Sequence, residues 1–300
     1  MITRFYNALK KTDAFCRRAL FLALCLALST PCQAEILTLT PSKDNTLYES
    51  RDGSLSNGIG FYLFVGATAD NGNRRALLHF DLSAIPRGAI LHSAELILYM
   101  DKSNAGAMTV GTHVMLADWG EGTSAGARGE GLGGSAASGD ATWLHAFYPH
   151  TSWSQPGGDF TPAPSAVQSV DGIGSYSWTS DQLRADVQHW INHPEQHFGW
   201  ILLGDEGQVA TAKRFISGDS VESLRHPTLR IDYTPGPSPP LRGDFNGDGT
   251  VDLDDFFAFT DHFGLKFDDP NWDSTYDLDD DSDTDFDDFF VFADLYGTRK

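Results

Sequence analysis

Cysteine is nearly missing from this 300-residue chain, and its three copies, Cys16, Cys25 and Cys32, all stand near the N-terminus. From residue 35 onward there is no thiol. Disulfides, thiol catalysis and thiolate metal sites are therefore excluded together from that part of the chain. Basic charge is scarce as well: 21 Lys and Arg face 41 Asp and Glu, a formal net charge of −20. Phosphate binding needs a basic surface, so this balance argues against nucleic acid as a partner. Long apolar runs are also absent. The run from Ala19 to Leu28 falls well short of the ~20 residues that span a bilayer. No transmembrane anchor is expected in the mature chain.

That short run follows Arg4, Lys10, Lys11, Arg17 and Arg18 and precedes Cys32-Gln33-Ala34. A basic stretch, a short apolar core and small residues at the cleavage positions make a secretory signal peptide. Cleavage after Ala34 is expected to release an extracellular protein that begins at Glu35 and carries no cysteine.

What the chain has in excess is aspartate, concentrated at its end. Residues 244–300 hold 18 Asp against Lys266, Arg299 and Lys300, which leaves −15 of the whole charge there. These aspartates are ordered. A twelve-residue pattern from Asp244 to Asp255 recurs from Asp277 to Asp288. An EF-hand-like loop presents calcium with oxygens from positions 1, 3, 5, 7 (a carbonyl), 9 and 12. The first loop offers Asp244, Asn246, Asp248, the Thr250 carbonyl, Asp252 and Asp255. The second offers Asp277, Asp279, Asp281, the Asp283 carbonyl, Asp285 and Asp288. Two calcium ions are expected. Behind each loop the aromatics repeat too, with Phe256, Phe257, Phe259 and Phe263 matching Phe289, Phe290, Phe292 and Tyr296. A solvated acidic tail has no reason to repeat them. The duplicated loop and helix, with Asp at both twelfth positions, resemble a type I dockerin over residues 243–300. That resemblance implies a small α-helical module and a cohesin-like protein partner. Ser282 stands where a turn glycine is usual, Thr284 replaces an aliphatic, and Leu253-Asp254 and Phe286-Asp287 depart from familiar recognition pairs.

Residues 234–242 form a proline-rich linker, and residues 35–233 are long enough for one domain with its own core. Period-two alternation dominates that stretch. Leu78 and Phe80 flank His79; Ala94, Leu96, Leu98 and Met100 alternate; so do Leu229, Ile231 and Tyr233. Phe198 to Leu203 reads as a strand buried on both faces. One helix is expected, started by a capping box from Thr179 to Gln182, carrying Leu183, Val187, Trp190 and Ile191 on one face and stopped by Pro194. The glycines of residues 120–176 predict a long loop that is functional or disordered. The expected fold is mainly β, an antiparallel jelly-roll sandwich with one helix, joined to the small helical module.

Asp44-Asn45-Thr46-Leu47-Tyr48-Glu49, the run from Arg75 through Asp81-Leu82-Ser83 to Ala89, Trp119-Gly-Glu121-Gly122, Ala141-Thr142-Trp143, Pro156-Gly157-Gly158-Asp159-Phe160 and Phe198-Gly199-Trp200 stand in one order. Together they resemble the DNRLRE family, also classed as carbohydrate-binding module family 96. The resemblance implies a jelly-roll sandwich that binds a polysaccharide, of acidic alginate type in the best-known case. Sugar faces stack on exposed rings, which makes Trp119, Trp143 and Trp153 near the glycine-rich stretch the candidate aromatics. Guanidinium forks match uronate carboxylates, which makes Arg75 and Arg214 the candidate cations, with Arg74, Lys213 and Arg225 nearby in the sequence.

Catalytic patterns are nominal. Gly129 to Gly134 fits a dinucleotide fingerprint without its flanking strand and helix, and His189 and His193 have zinc-protease spacing with Trp190 where the general base belongs. Glu49, Glu95, Glu121, Asp205 and Glu206 leave three accounts open: a glycosidase or lyase pair, surface salt bridges, or a further structural ion in the sandwich. The primary expectation is a secreted non-catalytic polysaccharide-binding protein. An enzyme of polysaccharide breakdown and an extracellular adhesin are the alternatives.

Overall fold

The structure is a computed structural model that describes residues 33–103, 105–127, 129–236 and 240–300. The signal-peptide expectation therefore falls on residues of which the first 32 lie outside those described. The chain divides into two compact units, one ending at Gly236 and the other beginning at Pro237. The expected linker is trimmed at both ends, because Thr234 closes the last strand and Leu241 packs into the second unit's core.

In the first unit, β1 (Glu35–Leu39), β2 (Pro41–Tyr48), β3 (Leu55–Ser56), β4 (Tyr62–Ala67), β5 (Asn73–Phe80), β6 (Ile90–Ser103) and β7 (Met108–Val114) precede the glycine-rich stretch. Inside it lie β8 (Gly134–Ser135), β9 (His145–Phe147), β10 (Thr151–Ser152) and β11 (Ala166–Val170), and β12 (Gly174–Trp178) ends it. β13 (Trp200–Leu203), β14 (Lys213–Ile216) and β15 (Thr228–Thr234) follow. One curled eleven-stranded sheet runs β1-β15-β6-β14-β4-β5-β13-β7-β11, with β12 added to β6 and β2 to β5. Its pairings are antiparallel, so the fold is the mainly β sandwich that the alternation predicts.

The register explains the core. Leu96 faces Leu229 and Ala94 faces Ile231 across β6 and β15, while Leu78 faces Trp200 and Ala76 faces Leu202 across β5 and β13. All eight enter one interior cluster with Phe80, Leu98, Met100 and Phe215. Full burial of each large aliphatic contributes about 1.5–3 kcal/mol before the entropy of ordering it. Helix α1 (Asp181–Asn192) lays Leu183, Val187, Trp190 and Ile191 on the same cluster, the face expected of it. Its cap is Ser180, whose side chain accepts from Leu183 N, and not the expected Thr179.

The odd residues of the central strands point the other way. Leu77 pairs with Ile201, and with Leu47 they meet Trp119, Trp143, Trp153 and Met115 in a second cluster. The glycine-rich stretch is therefore a folded excursion covering the outer face of the sheet, carrying short strands, and not a structureless loop. Its coverage is why Phe198 to Leu203 reads as apolar throughout.

The second unit consists of two loop-and-helix repeats, with helix α2 (Leu253–His262) after the first loop and α3 (Phe286–Leu295) after the second. Val251, Leu278 and Phe292 form its core with Phe245, Phe256 and Leu295 against them. No helix among the described residues is long and apolar enough to cross a membrane.

Candidate functional site

Each loop of the second unit is organised around two carboxylates. Asp244 accepts the amides of Gly247, Asp248 and Gly249, and Asp277 accepts those of Asp281 and Ser282. At the other end Asp255 accepts Phe245 N (2.8 Å), Asn246 N (3.1 Å) and Asp252 N (2.9 Å). Asp288 does the same for Leu278, Asp279 and Asp285. Both twelfth-position residues are fully buried. The ninth-position residues, Asp252 and Asp285, are the N-caps of α2 and α3, and each forms a reciprocal capping box with the Asp three residues on.

The repeats interlock by exchange. Val251 gives its N–H to Thr298 O and takes that of Gly297, while Thr284 gives its N–H to Leu265 O and takes that of Gly264. Each loop thus pairs with the segment behind the other repeat's helix. In the second loop, carboxylate oxygens of Asp277, Asp279 and Asp281 lie within 4.8 Å of one another, as do those of Asp283, Asp285 and Asp288. In the first, Asn246 donates its amide to Asp248, which also holds Thr250 N. The donors are all oxygen, the set that a hard cation of the calcium type takes. Desolvation, followed by the charges of Asp281 and Asp288, holds the Asp279 carboxyl above its usual range. The Asp283 side chain is drawn off to Lys266 Nζ at 2.8 Å, consistent with position 7 using its carbonyl.

In the sandwich the candidate sugar-binding aromatics are corrected. Trp119, Trp143 and Trp153 are 0%, 7% and 6% exposed. Their rings clamp the excursion to the sheet, with Trp119 Nε1 donating to Phe198 O and Trp153 Nε1 to Thr142 O. No ring face is left for a sugar. Arg75 is corrected likewise: its fork grips Glu206 at 2.7 and 2.8 Å, Nη1 donates to Gly157 O, and its guanidinium lies over Trp143.

Arg214 stands elsewhere, beside a cleft of about 550 Å³ lined also by Phe64, Arg74, Lys102, Lys213 and Leu132. Its own fork is spent on Asp101, at 2.8 and 2.6 Å, and it covers the Tyr62 ring. Arg74 and Lys213 are buried and bonded to neutral oxygens: Arg74 to Gly131 O and Asn73 O, Lys213 to Ser103 Oγ, Ala105 O and Gly106 O. Burial lowers the pKa of both below the usual values. No carboxylate forms a salt bridge with Arg74, Lys102 or Lys213 among the described residues. Ala127, Gly129, Gly131 and Leu132 of the excursion supply the opposite rim. Lys102 and Leu132, both exposed, escape a sequence reading, because Lys102 stands in no motif and Leu132 only in the nominal fingerprint of Gly129 to Gly134.

No family model matches the chain, and no curated protein does.

Proposed function

We propose that the chain is an exported, non-catalytic polysaccharide-binding protein with a calcium-stabilised, dockerin-like assembly module at its C-terminus. The observation that carries the binding role is the cleft: exposed Lys102 with buried Arg74 and Lys213, none paired with a carboxylate among the described residues, on a protein of net charge −20, beside exposed Leu132. Positive charge there favours a polymer bearing carboxylates, and the Leu132 side chain suits a sugar's C–H face. Among the described residues no Asp or Glu lines the cleft, which favours binding over hydrolysis by an acid and base pair there. Of the carboxylates weighed for that chemistry, Glu206 is tied to Arg75 and Glu49 to Asn73 N.

The calcium role is supported by two loops whose spacing and all-oxygen donors repeat. An assembly role is supported by exposed Leu253 and Phe257 on the first repeat and Phe286 and Phe290 on the second, an apolar set at matching positions. Calorimetry of the full chain with soluble oligouronates and with neutral oligosaccharides of equal length tests the binding role. Preference for the uronates, weakened about tenfold by Lys102→Glu as one desolvated charge contact is lost, is expected. Equal binding of both sugars, or indifference to Lys102→Glu, would place the site elsewhere. Binding of an immobilised cohesin-type module, lost in Phe257→Asp with Phe290→Asp, tests the assembly role.

A further inference from the structure

Three acidic side chains from distant segments meet at one edge of the sandwich. Asp44 lies in β2, Glu121 at the start of the excursion, and Asp219 on the turn after β14, and a carboxylate oxygen of each is within 4.8 Å of the other two. Asp44 is 1% exposed, and its Oδ1 has no hydrogen-bond partner. Its Oδ2 receives Gly218 N at 2.6 Å, and its own amide donates to Glu121 Oε1 at 2.7 Å. Next to it Asn45, fully buried, donates Nδ2 to Glu121 O at 2.8 Å. The backbone around the acids is thus locked while one carboxylate oxygen of buried Asp44 is left without a hydrogen bond.

Among the described residues, none of the three acids is in a salt bridge. Adjacent Lys43 is turned to Asp118 Oδ1 and Trp119 O, and His226 bonds Ser220 O. A buried anion without partner is among the costlier features a fold can keep.

We propose that Asp44, Glu121 and Asp219 hold a divalent cation of the calcium class that ties β2, the excursion and the turn after β14 together. The donors are oxygens, without His or Cys, which selects hard cations. Two oxygens on one calcium at about 2.4 Å lie no more than roughly 4.8 Å apart, a limit that the three groups satisfy as they stand. Asp219 is exposed, giving the ion its entrance. The ion anchors Glu121, where the excursion that rims the basic cleft begins, and so links calcium to the binding face without drawing on the C-terminal loops.

The test is a calcium count on the full chain by equilibrium dialysis, using a variant with both C-terminal loops disabled by Asp244→Ala and Asp277→Ala. One calcium per chain is expected to remain, and the sandwich is expected to melt at higher temperature with calcium than without. Adding Asp219→Asn, or separately the near-isosteric Glu121→Gln, should bring the count to zero and remove that thermal shift while the β-sheet circular dichroism persists. A count of zero in the loop-disabled chain overturns the proposal, as does a count of one that survives both substitutions. Failure of the C-terminal calcium reading shows separately, as equal counts in the wild-type and loop-disabled chains.

Discussion

The two repeats of the C-terminal unit are built on one plan from unequal residues. Position by position the scaffold carboxylates agree: Asp244 with Asp277, Asp252 with Asp285, Asp255 with Asp288. The turn residues do not. The first loop places glycine at both left-handed positions, Gly247 at φ 76° and Gly249 at φ 89°. The second places Asp280 at φ 65° and Ser282 at φ 79° in the same conformations. At position 8 the first has buried Val251, and the second has Thr284, equally buried, with a hydroxyl that finds no partner. The backbone path is therefore dictated by the shared carboxylates and the interlocking pairs. The first repeat follows it with glycines and the second against its own side chains, so the second is expected to be the weaker half of the unit.

The largest effect should test what the repeats share. Removing calcium leaves crowded aspartates with no counter-ion, and two charges ~4 Å apart repel by about 4 kcal/mol at an effective dielectric of 20. Helical circular dichroism near 222 nm is expected to fall on chelation in the full chain, with the second repeat losing amide protection in hydrogen exchange before the first. Simultaneous loss would erase the asymmetry; unchanged helicity would remove the calcium reading. Next come Asp255→Ala and Asp288→Ala. Each strips a buried carboxylate from three amides and should cost on the order of 3–5 kcal/mol in denaturant unfolding. Equal penalties are expected, because the two sites are matched bond for bond.

How far these features could be read in the sequence follows from the range of the forces behind them. The loop-and-helix repeats were legible because their pattern is local: twelve residues carry the carboxylate spacing, the cap and the reciprocal box. The strands Ala94 to Met100 and Leu229 to Tyr233 were legible because one face of each enters the core, writing period two into the chain. The fate of Trp119, Trp143 and Trp153 was not. Whether a ring stacks on a sugar or on Leu77 and Ile201 depends on where the excursion lands, a tertiary fact with no local trace. The same holds for Lys102 and Leu132 in the cleft and for Asp44, Glu121 and Asp219, which lie far apart in sequence and meet only when the sheet curls.

A smaller effect should sharpen the contrast at the turn. Ser282→Gly is expected to stabilise the unit by about 1 kcal/mol, the relief of the left-handed conformation less the extra unfolded-state freedom of glycine. Gly249→Ser should cost about 1–2 kcal/mol by the reverse argument. Asp280→Gly should gain less than Ser282→Gly, since Asp tolerates that conformation better. Calorimetric melting of the calcium-loaded chain reads all three. A loss on Ser282→Gly would mean that the serine hydroxyl supplies something the glycine loop does without.

The smallest expected effect concerns position 8. Thr284 and Val251 exchange equivalent backbone bonds with the segment behind the opposite helix, so the side chains sit in matching surroundings and differ by one hydroxyl for one methyl. Thr284 Oγ1 is buried without a partner, and a hydroxyl desolvated in that way costs about 1–3 kcal/mol in proteins. Thr284→Val removes that cost and keeps the β-branched shape that an extended pairing residue favours, so a gain of about 1 kcal/mol is expected in the unfolding of the second unit. Val251→Thr should lose a similar amount. If Thr284→Val instead destabilises, the hydroxyl has a partner when the loop is filled, and the inequality between the two repeats would be a feature of the calcium-free state alone.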